Sequence, residues 1–122
     1  ATKREHNSLN LTYLEDTFND TRQIIKMLED YVQSNQKDFH ALEAAVDDRD
    51  ASLAKDIAHR MKGAAKIMAA DKISLHSEKL EKMVLAANWG EGTLLLIQLA
   101  NAMENFKNDA TMWAEGELEL TN

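Results

Sequence analysis

The sequence predicts an all-α protein: an antiparallel up-down four-helix bundle with a short extra helix at its N-terminal end. Three observations support this prediction. The chain of 122 residues contains no proline and only four glycines, so the residues that most often break helices are scarce. Apolar residues recur at helical spacings, and no strand-like alternation competes with them. The connections between these periodic segments are short, which makes consecutive helices antiparallel.

Polar start signals predict where the first two helices begin. Thr12 and Glu15 have the spacing of a capping box, so a short helix is expected to open at Thr12. The polar residues 19–21 are expected to end it and to cap a second helix over residues 22–47. A polar stretch at residues 34–38 could kink this second helix.

Three further helices complete the predicted bundle. The third helix is expected to be capped by Asp50 and to end near Ala69. The fourth is expected to be capped by Asp71 and to end at Ala87. The fifth is expected to be capped by Thr93 and to end at Gly116. The bundle is therefore expected to occupy residues 9–116. Residues 1–8 and 117–122 are expected to be flexible tails.

The composition excludes several classes of function. Acidic residues outnumber basic ones by 21 to 14, a formal charge of −7, which argues against binding to nucleic acid or to an anionic membrane. The chain has no cysteine, which excludes a disulfide framework, a thiolate zinc site and a cysteine nucleophile. Its longest aliphatic run, residues 94–97, is far shorter than the roughly 20 residues of a membrane-spanning helix. We therefore expect a cytoplasmic protein without direct membrane contact.

The third predicted helix carries the residues that point to function. At about 100° per residue, its buried face is centred on Ile57 and is expected to contain Leu53, Met61, Ala64 and Met68. The opposite face contains Lys55, His59, Lys62, Gly63 and Lys66. His59 is therefore predicted to point into solvent, in the middle of a helix and among lysines.

Gly63 and the local charge distinguish this exposed face. A glycine inside a helix costs about 1 kcal/mol relative to alanine, so its presence at an exposed position suggests that something approaches the helix closely. Neutral drift at a surface site explains Gly63 equally well on its own. Residues 55–66, however, also hold a local charge of +3, from Lys55, Arg60, Lys62 and Lys66 against Asp56.

An exposed histidine among lysines has the chemistry required for phosphoryl transfer. A neutral imidazole is a nucleophile near pH 7, and lysines one turn away would stabilise the charge of an arriving phosphoryl group. The sequence has no GxxxxGK(S/T) loop for nucleotide phosphates. The phosphoryl group must therefore come from another protein or domain, and no cofactor is expected.

Residues 59–65 have the sequence HRMKGAA, which resembles the HxxKGxA signature of histidine-containing phosphotransfer (HPt) domains of multistep two-component phosphorelays. The resemblance covers about residues 9–115, since those domains are bundles of similar size with the motif on the second long helix. It implies that His59 is the phosphoacceptor, that Lys62 contacts the phosphoryl oxygens and that Gly63 leaves space for a receiver domain. The remaining basic residues of the patch, Lys55, Arg60 and Lys66, are the expected docking surface.

The same resemblance implies a place in a signalling pathway. The partners would be response-regulator receiver domains, one donating a phosphoryl group from an aspartate and another accepting it. The chain would need neither ATP nor a protein-bound metal, so it would be a phosphotransfer intermediate, with kinase activity only as part of a larger hybrid histidine kinase. We expect a monomer, free in the cytoplasm or fused at the C-terminal end of such a membrane-bound sensor kinase.

Two positions depart from the pattern of the family. The family often has glycine about ten residues after the histidine, where this chain has Ala69, and the change is expected to alter packing near the turn. A glutamine on the neighbouring helix commonly lies near the phosphohistidine, whereas Glu81 occupies this position here. Its carboxylate is expected to repel a phosphoryl group, and Lys79 or Lys82 could serve in its place.

Two other functions compete with phosphoryl transfer. A non-catalytic docking module would use the same bundle and surface, but it has no use for a nucleophile at the centre of that surface. A di-iron bundle needs two inward-facing Glu-x-x-His motifs, and this chain offers only Asp56-x-x-His59, whose histidine is predicted to face outward. No metal site is therefore expected. His76 lies near the apolar stripe of the fourth helix and is expected to be partly buried and hydrogen-bonded, a structural role.

Overall fold

The computed structural model describes residues 8–120, and over this range the chain forms five helices and no strand. The helices are α1 (Leu11–Thr17), α2 (Thr21–Asp47), α3 (Ala51–Ile67), α4 (Asp71–Leu85) and α5 (Trp89–Leu120). The predicted all-α class and the short leading helix are confirmed. Residues 1–7 and 121–122, which belong to the predicted tails, lie outside the described residues.

The four long helices pack as a ring around one apolar core. Helix α2 contacts α3 and α5, α4 contacts the same two helices, and α1 packs against α2. Turns of three residues, 48–50, 68–70 and 86–88, join consecutive helices and make neighbours antiparallel. This arrangement is the predicted up-down bundle. None of the helices within residues 8–120 is long and apolar enough to cross a membrane.

The capping residues are only partly as predicted. The carboxylates of Asp20 and Asp50 accept hydrogen bonds from the first turns of α2 and α3, as expected. Thr12 is not the cap of α1, because the side chain of Asn10, two residues earlier, accepts from the backbone of Tyr13 and the helix begins at Leu11. Asp71 lies inside the first turn of α4 instead of capping it, where its negative charge still favours the helix N-terminus.

Helix α5 is longer at both ends than the sequence predicts. It begins at Trp89 because the side chain of Asn88 accepts a hydrogen bond from the backbone of Glu91. The hydroxyl of Thr93, the predicted cap, instead donates to the carbonyl of Trp89 within the helix. Gly116 does not end the helix, which continues to Leu120, so residues 117–120 of the predicted tail are helical. One glycine lowers helix propensity by about 1 kcal/mol but does not by itself break a helix.

The middle residue of each of the three turns between the long helices is left-handed and is not glycine. Arg49 and Ala69 have φ of 53°, and Ala87 has φ of 55°. At each turn the left-handed residue and the one after it donate to carbonyls of the last helical turn, which is a Schellman motif. The alanine at position 69, where the family often has glycine, therefore strains the backbone in addition to any effect on packing.

The buried face of α3 is wider than the predicted stripe and is rotated from it. Ile57, Met61 and Met68 are buried as predicted, but Leu53 is 49 % exposed and Ala64 is half-buried. The core instead also takes the small side chains of Ala54, Ala58 and Ala65. Because α3 packs against both α2 and α4, its buried face has to cover two neighbours instead of one.

Candidate functional site

The imidazole of His59 lies on the outside of α3, in the middle of the helix. Its side chain is 66 % exposed, whereas the preceding residue, Ala58, is fully buried. Packing of Ala58 and Met61 into the core therefore fixes the rotation of α3 and turns His59 outward. The predicted orientation of His59 is confirmed.

A carboxylate from the neighbouring helix joins His59 to Lys62. Oε2 of Glu81, on α4, lies 2.9 Å from Nδ1 of His59, and Oε1 accepts a hydrogen bond of 3.0 Å from Nζ of Lys62. The side chains of Lys62 and Glu81 are each only 18 % exposed, so both are held against the surface between α3 and α4. Within residues 8–120, Nε2 of His59 has no hydrogen-bond partner.

Glu81 is a charged group at neutral pH. Burial alone would raise the pKa of its carboxyl, but hydrogen bonds and charges from Lys62 and His59 outweigh burial and lower the pKa below its ordinary value. The carboxylate can therefore only accept hydrogen bonds, and it meets a potential donor at each oxygen.

Gly63 is exposed one residue after Lys62, on the surface that also carries His59. Among residues 8–120, a Cβ atom added to Gly63 would meet nothing within 4 Å, so no contact in this range requires a glycine there. The open space next to the imidazole is available to another molecule.

The expected docking residues do not form one free basic surface. Arg60 faces α2, where Asp38 binds it through two hydrogen bonds of 2.8 and 3.3 Å and raises its pKa. Lys55 lies 3.2 Å from Asp56, and Lys66 is exposed in the last turn of α3.

Carboxylates pair with three of the four basic side chains of residues 55–66. Lys55 pairs with Asp56, which lies in the same window. The partners of Arg60 and Lys62 are Asp38 of α2 and Glu81 of α4, which are distant in sequence and are brought to the site by folding.

The sequence as a whole matches a known domain. The family model described as "Hpt domain" matches residues 26–109, more than half of the chain. The chain belongs to the Hpt domain family. Hpt domains act in phosphoryl transfer within phosphorelays and interact with receiver domains, so this is the function of the chain at the level of its family.

One solved structure has a similar fold over most of the chain. The crystal structure of histidine-containing phosphotransfer protein B (HptB) from Pseudomonas aeruginosa PAO1 superposes with a TM-score of 0.81 at 18 % sequence identity. The match covers 91 % of this chain and 97 % of that one. No curated protein sequence matches the chain.

Glu81 makes contacts in this Hpt domain that the sequence alone does not reveal. Its position near His59 is as predicted, and its carboxylate makes two hydrogen bonds at the site, with His59 and with Lys62. The expected repulsion of a phosphoryl group stays a prediction. Its neighbours Lys79 and Lys82 are exposed, and in the described part of the chain the hydrogen-bond partner of His59 on α4 is Glu81. The contact depends on the register between α3 and α4, which no local pattern encodes.

The other histidines of the Hpt domain have different surroundings. His40 is exposed and lies 3.2 Å from Glu43 on its own helix. His76 is half-buried as predicted, but its Nδ1 is buried and lacks the expected hydrogen bond to any group of residues 8–120. Burial, together with the charges of Lys79 and Lys72, lowers the pKa of His76. Across residues 8–120, no group of three or more His, Cys, Asp or Glu side chains could hold a metal ion.

Proposed function

We propose that this Hpt domain accepts a phosphoryl group from a receiver aspartate onto His59 and passes it to an aspartate of another receiver. The observation that carries the proposal is the state of the His59 ring: it is exposed at mid-helix, and Nε2 is unpartnered within the described chain. A nucleophile has to present a lone pair to the reacting group, and the lack of a partner at Nε2 supports this role for that nitrogen.

The transfer step is a displacement at phosphorus. The lone pair of Nε2 attacks the phosphorus of the aspartyl phosphate, so that an N–P bond forms. The P–O bond to the aspartate breaks, and the carboxylate leaves with the bonding electron pair. The second receiver reverses the step, because its aspartate attacks phosphorus and the electron pair returns to Nε2.

Lys62 and Gly63 support this step in different ways. Lys62 lies one turn after His59, and its ammonium can move from Glu81 to an oxygen of the transferring phosphoryl group. At Gly63 the helix surface has no side chain, so the receiver's aspartate can approach the ring. Among the basic residues of the patch, Lys66 is the best placed to meet an acidic receiver surface, since Asp38 already neutralises Arg60.

We also propose the partners, the oligomeric state and the location of the domain. Donor and acceptor are receiver domains of response regulators, and the domain acts as a monomer in the cytoplasm, free or at the end of a hybrid sensor kinase. The alternative is a docking module of the same shape without transfer. It differs in one respect, since it would bind a receiver without acquiring a phosphoryl group.

Transfer from a phosphorylated receiver tests the proposal. The purified receiver is labelled on its aspartate, mixed with the chain, and separated from it. We expect label on the chain, with the lability in acid and stability in base that a phosphorus–nitrogen bond shows. Binding of the receiver without any label on the chain would support the docking module instead.

A further inference from the structure

Two adjoining hollows form one groove along the seam between α2 and α5. One has a volume of about 460 Å³ and the other of about 170 Å³. Both are lined by Val32, Gln36 and Lys107, so the groove is continuous. In the ring of helices, the seam between α3 and α4 faces the one between α2 and α5. The α2–α5 groove therefore lies across the core from His59.

The floor of the α2–α5 groove is apolar and long. Ile25 and Val32 of α2 pack against the core but are only half-buried, and Ala114 of α5 is half-buried as well. Along α2 the lining residues run from Ile25 to His40, which at 1.5 Å per residue is about 22 Å of helix. A groove of this length suits a docked helix of about four turns better than a small molecule.

Carboxylates border the apolar floor. Glu29 of α2 and both Glu104 and Glu115 of α5 line the two hollows, and all three are exposed. Two other titratable residues line the groove, Lys107 and His40. With the histidine counted as neutral, the border has a formal charge of −2, from three carboxylates and one ammonium. An acidic border around an apolar floor is complementary to a cationic amphipathic ligand.

The acidic residues at the end of α5 do not serve the stability of that helix. Residues 104–120 hold five acidic residues and one lysine, a formal charge of −4. No basic residue lies in the last turn of α5, which is described as far as Leu120. Carboxylates near a helix C-terminus oppose the helix dipole, whereas lysine or arginine there would favour it. Attraction of a positively charged ligand gives Glu115, at the groove, a use that the helix itself does not.

We propose that the α2–α5 groove binds a cationic amphipathic helix of another protein. The apolar side chains of that helix, spaced at i, i+3 or i+4 and i+7, would lie on the floor, and its lysines or arginines would face the bordering carboxylates. A second copy of this chain is a poor occupant, because two identical acidic borders would repel each other. This binding goes beyond phosphoryl transfer and does not depend on it, since the two seams are separate.

A synthetic helical peptide of about 18 residues serves as the probe, with leucine at positions i, i+4, i+7 and i+11 and lysine on the other face. A scrambled peptide of the same composition and a peptide with glutamate in place of lysine are the controls. Nuclear magnetic resonance of the intact chain locates each peptide through shifts of the backbone amide signals. We expect the cationic amphipathic peptide to shift signals of residues 25–40 and 100–115, and neither control to do so.

Two variants of equal net charge test the acidic border. Glu29→Lys with Glu115→Lys reverses two border charges, and Glu15→Lys with Asp56→Lys reverses two exposed carboxylates outside the hollows. Each replacement adds +2, so both variants change the formal charge from −7 to −3. General attraction of the peptide therefore falls equally in both. We expect about a tenfold greater loss of peptide affinity in the border variant, and equal losses would overturn the proposal.

A neutral replacement tests the apolar floor. Ala114→Gln places a larger polar side chain in the groove, and Ala41→Gln makes the same change at an exposed position of α2 outside the two hollows. Glutamine is a good helix former, so both variants are expected to fold, and thermal melts verify it. We expect weaker binding of the cationic peptide in Ala114→Gln alone.

Three results would overturn the proposal. The first is equal binding of the peptide by Ala114→Gln and Ala41→Gln. The second is a set of shifted signals on the seam between α3 and α4, or no shifted signals at all. The third is self-association of the chain without peptide, with concentration-dependent shifts at residues 25–40, because a second copy would then occupy the groove. His59→Gln is expected to bind the peptide like the wild type, so failure of the proposed function would leave this proposal intact.

Discussion

Nδ1 of His59 lies 2.9 Å from Oε2 of Glu81, although the two residues are 22 positions apart and belong to different helices. The contact brings a carboxylate to one nitrogen of an imidazole whose side chain is otherwise largely exposed. With Lys62 on the second oxygen of the same carboxylate, three side chains form one hydrogen-bonded unit at the surface. The predictions below test the chemistry and the fold on which this unit depends.

Replacing Lys62 by alanine is expected to slow phosphoryl acceptance more than it affects folding. The change removes a charge-assisted contact to the phosphoryl group that is worth about 1.5–3 kcal/mol, and it leaves Glu81 without a compensating cation. The measurement is the initial rate of transfer from a phosphorylated receiver, with Lys107→Ala, which removes an exposed lysine of α5, as the control. If the two variants are slowed equally, Lys62 contributes only to the general charge of the surface.

Replacing Gly63 by alanine is expected to preserve or raise stability by up to about 1 kcal/mol, since alanine is the better helix former and the added Cβ meets nothing. A bulky residue such as tryptophan at the same site is expected to keep the fold and to block transfer. Thermal melting and the transfer rate measure the two effects. A Gly63→Ala variant that loses stability would contradict the view that this position is kept free for a partner.

Replacing Ala87 by glycine is expected to stabilise the chain. Ala87 is exposed and has a left-handed backbone, a conformation that costs a non-glycine residue roughly 1–2 kcal/mol. Glycine removes this cost, but its greater conformational freedom stabilises the unfolded chain by about 0.5–1 kcal/mol. A gain of up to about 1 kcal/mol in the free energy of unfolding should remain.

Ala86→Gly is the matched control for this change, because Ala86 is equally exposed but has an ordinary φ of −82° and is expected to lose stability. The strain at position 69 predicts the same direction for Ala69→Gly. Denaturant unfolding measures all three variants, and a gain in Ala86→Gly comparable to that in Ala87→Gly would show that strain is not the cause.

The bridge through Glu81 is expected to make stability depend on pH below about 5. The folded pKa of Glu81 is lower than its ordinary value of 4.5, so its contribution is complete above 4.5 and is lost as pH falls through the folded pKa. The difference in unfolding free energy between the wild type and Glu81→Gln should therefore be present at pH 7 and shrink in acid. A difference that stays constant as pH falls would mean that the ionised carboxylate does not support the fold.

Some features of the site could be predicted from the sequence because they depend on a single helix. The direction of His59 follows from helical periodicity, and its distance along α3 from Lys62 and Gly63 is fixed by their spacing. The start of α3 could also be predicted, because Asp50 caps the first helical turn of α3, which follows it directly in sequence.

Features that depend on two helices could not be predicted in this way. The ion pair between Arg60 and Asp38 joins α3 to α2, so the sequence around Arg60 does not indicate it. The exposure of Leu53 depends on how α3 packs between α2 and α4. The left-handed turn residues have no sequence signal, because Ala87 stands where glycine is the usual indication.

The central claim is that His59 accepts the phosphoryl group, and transfer from a phosphorylated receiver to the wild type and two variants tests it most directly. His59→Gln removes the proposed acceptor, and His40→Gln removes another exposed histidine that lies beside a carboxylate. We expect acid-labile label on the wild type and on His40→Gln, and none on a folded His59→Gln. Label on His59→Gln at the wild-type rate would contradict the claim.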